Sequence, residues 1–248
     1  MLHFFRKIRR DLIENSKFYK YLKYTSGEIV LVVLGILIAL GINNWNENRK
    51  NRMLEMKLLN DVSRNLLVDT LNLNSIIEHY DYVIKQAQSI KSKMEKNIPY
   101  DNSMEESFAI ISVSYAYESD YSIFETIKST SLGIIKNDSI RNWMVNYYNN
   151  SKHFANVHNT YNITKYFRTN VYPKYFSSYS WGTKAIPIDY ASLKNVNEFK
   201  ISLDYAINDA RYYKVNYTNQ KIFAIQLNQS IMKEISIDGD SFFSKLKF

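Results

Sequence analysis

The chain has 248 residues, a formal net charge of +8 and no cysteine, with few Gly (6) and Pro (3). The missing cysteine excludes disulfides, thiolate metal sites and cysteine nucleophiles, and scarce Gly and Pro disfavour a many-turned sandwich or barrel, pointing to an all-α chain. The charge is local: residues 1–26 hold seven bases and two acids, net +5, leaving +3 for residues 27–248. Basic residues beside an apolar run attract anionic lipid headgroups, so the excess argues for a membrane surface and against nucleic acid.

The first 23 residues read as a cytoplasmic basic amphipathic segment. Leu2, Phe5, Ile8 and Leu12 recur at helical spacing with Arg6, Lys7, Arg9 and Arg10 between them, a pattern that suits a short helix lying in the lipid interface. An unordered basic tail is the plain alternative. Asn15-Ser16 offers a cap for a further stretch leading into the apolar run.

Ile29 to Ile42 is apolar on every side and contains eleven Leu, Ile or Val residues. Near a bilayer centre these contribute on the order of −3 to −7 kcal/mol, against roughly +2.5 to +3.5 kcal/mol for one acid at mid-bilayer and less at its edge. Glu28 therefore does not veto insertion. The 14-residue run is short for a span, but Tyr24 to Trp45 covers about 32 Å of helix at 1.5 Å per residue. A transmembrane helix over 24–45 is predicted, with Tyr21, Tyr24 and Trp45 as interfacial anchors. A cleaved signal peptide is the rival, since Ala39-Leu40-Gly41 is an acceptable small-x-small site, but its n-region would be unusually long. Seven bases precede the run, and only Arg49, Lys50, Arg52 and Lys57 follow it closely. That asymmetry predicts a cytoplasmic N-terminus and an extracytoplasmic 46–248. Gly35 and Ala39 form a small-x-x-x-small pair suited to close helix packing, with a second copy or another membrane protein as the implied partner. Glu28 stands near the inner boundary, where an acid faces a partner, water or a base.

Phe4-Phe5-Arg6-Lys7-Ile8-Arg9, the run Gly27 to Leu40, and Asn43-Asn44-Trp45-Asn46-Glu47 form a series. It resembles domain of unknown function 6090, an uncharacterised family of single-span membrane proteins from the Bacteroidota. Phe124-Glu125-Thr126-Ile127-Lys128-Ser129, followed by Leu132 to Asp138, is similar to that family's extracytoplasmic motif. Gly41 departs from the pattern, standing where a larger polar residue is expected. The resemblance implies a topology and an inner-membrane address. It implies no activity and assigns no catalytic residue.

Beyond the span a heptad holds from Leu59 through Leu66, Leu73, Tyr80, Ala87 and Met94, paired with Val62, Asp69, Ile76, Val83 and Ile90. It predicts a long coiled-coil-like helix. Leu67, Ile77 and Ile84 widen the stripe, favouring a helix packed in its own bundle over an intermolecular coiled coil; Asp69 marks a kink or a polar partner. After a break at 97–101, helices are expected at about 103–117 and 122–131. A long helix capped by Asp138 then runs towards Pro173. Residues 177–195 read as a long exposed connection. Two more helices, 196–216 and 217–235, precede a polar break at Asp238-Gly239-Asp240, and 242–248 dock or fray.

Motifs that carry chemistry are scarce. There is no His-Glu-x-x-His, no Gly-x-Ser-x-Gly elbow and no phosphate-cradling Gly loop. His153 and His158 are five apart, off a shared helical face, and His79 near Asp81 has no corroborating ligand. Glu125 and Lys128 suit a surface ion pair or a ligand contact. The tyrosines, among them Tyr147, Tyr148, Tyr175, Tyr179, Tyr190, Tyr212 and Tyr213, invite a carbohydrate- or peptide-binding reading, but aromatic stripes at helical spacing are more often core. No cofactor, metal or catalytic residue is assigned. The sequence fits a non-enzymatic single-pass membrane protein whose helical periplasmic domain serves interaction, scaffolding or sensing. A small periplasmic enzyme or ligand-binding domain on an anchor, and an accessory subunit of a transport complex, are the alternatives.

Overall fold

The computed structural model describes Arg6, Arg10 and residues 18–130, 132–161 and 163–245, with side chains from residue 22 to residue 237. The predicted basic segment 1–23, the Tyr21 side chain and residues 246–248 fall largely outside the described residues. By its internal contacts the chain divides into residues 1–54 and residues 55–248.

The first helix, α1, runs over Phe18–Glu95. In residues 22–54 its apolar side chains are uncovered, as at Leu31 (72% exposed) and Trp45 (65%). The most apolar window has a mean hydropathy of 2.3 with none of it buried. Among the described residues this is the one helix long and apolar enough to cross a membrane.

In residues 55–248 the heptad becomes the core. Leu59, Val62, Leu66, Leu73 and Ala87 are fully buried, each large side chain worth roughly 1.5–3 kcal/mol of transfer free energy. Ile77 and Ile84 pack partly buried against this core, whereas Leu67 stands exposed and does not widen the stripe. The helix stops in a Schellman cap. Asn97 takes φ 54°, and Ile98 N–H donates to Lys93 O at 2.9 Å while Asn97 N–H donates to Met94 O at 3.2 Å.

The elements that follow are α2 (Met104–Ile110), α3 (Ser122–Thr130), a 3₁₀ turn (Leu132–Ile134), α4 (Asp138–Thr160), α5 (Ile163–Tyr166), a π-helical turn (Phe167–Val171), α6 (Tyr172–Tyr175), strands β1 (Phe176–Ser180) and β2 (Lys184–Pro187), α7 (Tyr190–Leu193) and α8 (Asn197–Lys245). Within 55–248, α8 runs antiparallel to α1. Ser63 donates to Asn228, Lys221 to Asn74, Lys214 to Asp81 and Lys91 to Asp204, all at 2.6 Å, so one index falls as the other rises. Shorter elements fill three buried clusters along this pair.

Five expectations are corrected. The helix expected over 103–117 ends at Ile110, and residues 113–121 carry no regular secondary structure although Val113, Ser114, Tyr117 and Ser119 are buried. Buried backbone groups outside regular structure need other partners, and here tyrosines, histidine and hydroxyls supply them. Tyr80 Oη donates to Tyr115 O at 2.7 Å, Tyr117 N–H donates to Tyr217 Oη at 3.1 Å, and Ser119 N–H donates to Ser151 Oγ at 2.9 Å. His79 Nε2 lies 2.9 Å from Val113 O.

The long helix from 138 breaks at Tyr161 before reaching Pro173. Its N-cap is Asn137, whose side chain accepts from Ser139 N and Ile140 N, and Asp138 is the first helical residue. The connection 177–195 is an ordered antiparallel hairpin pairing Tyr179 with Ala185, followed by α7. Gly182 at its turn has φ 65°, a left-handed conformation that favours glycine. The hairpin is held by aromatic burial that a count of polar residues conceals: Tyr179 stacks on Tyr172 at 4.0 Å, and Phe176 meets Phe108 edge-on at 5.4 Å. Finally, α8 is one helix without a break at 216, and its backbone continues through Asp238-Gly239-Asp240. Hydrogen bonds and buried apolar contacts between α1 and α8 on both sides of residue 216 override the local polar signal there.

Candidate functional site

The segment resembling a family motif builds structure. Phe124 stacks on Tyr148 at 4.6 Å and Ile127 is fully buried. Lys136 N–H donates to the buried Glu55 at 2.7 Å, and Asn137 Nδ2 donates to Glu234 at 2.9 Å. Glu125 pairs with Lys128 at 3.0 Å on the surface.

Two acids are taken from water in very different ways. Asp69, 2% exposed, accepts hydrogen bonds from Tyr147 Oη at 2.7 Å and from Ser119 Oγ. It is the polar partner that the heptad exception allowed. Burial, then the charge of Asp69, drives the Tyr147 pKa far above its ordinary value, so this hydroxyl remains a donor. The neighbouring Tyr117 hydroxyl is buried without a hydrogen-bond partner among the described residues, and burial and Asp69 raise its pKa too. Close by, His158 Nε2 lies 2.8 Å from Ser114 Oγ while its Nδ1 has no partner among the described residues, and burial lowers its pKa.

Asp209, on α8, makes no side-chain hydrogen bond or ion pair with the described residues. Burial alone pushes its carboxyl up to about 7. It lines an open groove of about 670 Å³ together with Tyr161, Lys165, Tyr166, Asn170 and Tyr205. The groove exists because the helix broken at Tyr161 resumes as α5 and passes into the π-helical turn, which places Asn170 on one wall while α8 supplies the other. Single π turns occur often at functional sites. Tyr166 and Tyr205 meet edge-to-face, with centroids 6.0 Å apart and planes at 79°.

A second, smaller groove of about 370 Å³ contains Asp81. There Lys214 bonds the carboxylate at 2.6 Å and holds its pKa below the usual range. That acid already has its cation.

The residues singled out in the span lie apart from both grooves in sequence and unit. Tyr24 and Trp45 are exposed, with Arg49 over the Trp45 ring at 5.7 Å. Glu28 is half-buried, Ala39 is exposed, and a Cβ added at Gly35 meets nothing within 4 Å. Of the tyrosines, Tyr147, Tyr148, Tyr190 and Tyr213 are core and Tyr212 is exposed. Among the described residues no group of three or more His, Asp or Glu is arranged to hold a metal ion.

Sequence reasoning missed Lys165, Tyr205 and Asp209. The signal was there in part: Asp209 adjoins the buried stripe Leu203, Ala206, Ile207 and Ala210, and Tyr205 precedes it by one helical turn. What was absent was any sign that α4 breaks opposite them.

Fold and site together define an all-α protein with one helix long and apolar enough to cross a membrane, and a helical domain bearing a polar, tyrosine-walled groove. Residues 28–167 match the sequence model of the Family of unknown function (DUF6090), and the chain belongs to that family. The match takes in the apolar run, α4 and part of one wall of the groove; Asn170 on that wall and α8, the other wall, lie beyond it. No curated protein and no solved structure matches the chain.

Proposed function

We propose that this protein is a single-pass inner-membrane protein with a cytoplasmic N-terminus, presenting its helical domain to the periplasm for interaction or sensing. The observation that carries the proposal is the state of residues 22–54. A turn-by-turn sheath of exposed Leu, Ile and Val far exceeds the apolar patch that a water-soluble surface tolerates, and lipid is the solvent that fits it. Tyr24 and Trp45 bracket the sheath at bilayer spacing, and the basic excess before it sets the orientation. The uncovered face at Gly35 and Ala39 suits close approach of a second copy.

The absence of native cysteine makes the test direct. Single cysteines are introduced as Ser16→Cys and Ser129→Cys, and cells with a permeabilised outer membrane are treated with an impermeant maleimide. The expected result is labelling of the Ser129→Cys chain before lysis and of the Ser16→Cys chain only after it. The reverse pattern overturns the orientation, and recovery of a full-length chain in the soluble fraction overturns the span.

A further inference from the structure

The groove at Asp209 has three properties that belong together. Its acid is half-buried and unpartnered, whereas a buried or half-buried carboxylate in a finished structure normally has donors. The group's pKa of about 7 has burial as its single cause, so Lys165 in the same groove does not neutralise it. Lys165 likewise makes no ion pair with the described residues, so the groove holds one charge of each sign that is unpaired among them. In the same lining Tyr166 and Tyr205 form an aromatic corner, a surface that attracts both apolar groups and cations. The volume of about 670 Å³ lies within the range of small-molecule sites.

We propose that this groove binds a zwitterionic amine of amino-acid or short-peptide type, with its ammonium on Asp209, its carboxylate on Lys165 and its side chain in the Tyr166–Tyr205 corner. Asp209 also faces inward. Tyr213 and Tyr217 on α8 and Tyr80 on α1 each feel its charge, and His158 packs edge-on against Tyr213 at 5.2 Å. These groups are all neutral near pH 7, the tyrosines because burial raises them and His158 because burial lowers it. The cation that Asp209 lacks therefore has to arrive from the groove. An ammonium ligand requires the ionised carboxylate, so binding tightens as pH rises towards 7, by up to about tenfold per unit, and levels off above it. The proposal is independent of the membrane reading, because the groove lies within residues 55–248 and a binding measurement reads it whichever side of a bilayer it faces.

The test is calorimetry on the full chain in detergent micelles, with L-phenylalanine, the dipeptide Ala-Phe, N-acetyl-Ala-Phe and Ala-Phe-amide as probes. The wild type is expected to bind phenylalanine or Ala-Phe, to lose the N-acetyl probe, and to weaken about tenfold for the amide, one ion pair's worth of affinity. Binding of phenylalanine assigns a free amino acid as the source, and binding of the dipeptide alone assigns a peptide end. Asp209→Asn should lose the ligand and its pH dependence, while Lys165→Gln should no longer distinguish Ala-Phe from its amide. Thermal unfolding of each variant separates lost binding from lost folding. No binding of any probe up to about 10 mM, the weak end of specific recognition, overturns the proposal; so does equal binding by N-acetyl-Ala-Phe or by a folded Asp209→Asn chain.

Discussion

Asp69 and Asp209 are the same side chain on the two long helices of one domain, both withdrawn from water, and their surroundings oppose each other. Asp69 is sealed among donors, with Tyr147 and Ser119 on its oxygens. Asp209 has a groove on one side, neutral tyrosines on the other, and no donor among the described residues. A buried polar group that is satisfied specifies a core, whereas one left unsatisfied costs free energy that folding alone does not recover. The contrast separates a structural acid from one available to a ligand, using geometry instead of residue type.

The comparison can be broken by mutation, read by chemical denaturation of the full chain in micelles. The largest effect belongs to Asp69→Ala, which strands two buried hydroxyls and should cost about 2–6 kcal/mol, at about 1–3 kcal/mol per unpaired group; an unchanged midpoint would show that Asp69 is no structural centre. Asp209→Asn should act with the opposite sign. Its folded pKa lies above the unfolded one, so the contribution of the protonated acid is fully present below about pH 4 and is lost as pH rises through 7. The variant should therefore match the wild type near pH 4 and exceed it by about 1–2 kcal/mol at pH 8, discounted for water in the open groove. A gap that shrinks with rising pH contradicts this. Smallest is Tyr205→Phe, whose hydroxyl has no hydrogen-bond partner among the described residues, with a change within about 0.5 kcal/mol. By comparison, Tyr147→Phe should cost about 1–3 kcal/mol, because it removes a donor from a buried carboxylate. Equal costs for the two tyrosines would erase the distinction.

Periodicity made much of the domain legible before any coordinates. Leu59, Leu66, Leu73, Tyr80, Ala87 and Met94 are all buried, because a heptad spaces side chains along one face whatever covers it. The 103–117 stretch was illegible for the opposite reason. Its regular structure ends at Ile110, and what holds Val113 to Ser119 is a set of contacts from distant residues, Tyr80, Ser151 and Tyr217 among them. The richness in tyrosine was visible, and its use was not. A tyrosine that donates to a buried backbone carbonyl looks, in sequence, like one that only packs.

By itself the sequence determined the apolar helix, the basic excess before it, the all-α class and the buried heptad, because composition and spacing act locally. Only the tertiary structure decided that α8 is continuous, that 177–195 is a packed hairpin, and that Asp69 has partners while Asp209 has none among the described residues. Those outcomes depend on which distant segments arrive to cover a given face. Helical spacing states that a face exists; the folded chain decides what meets it.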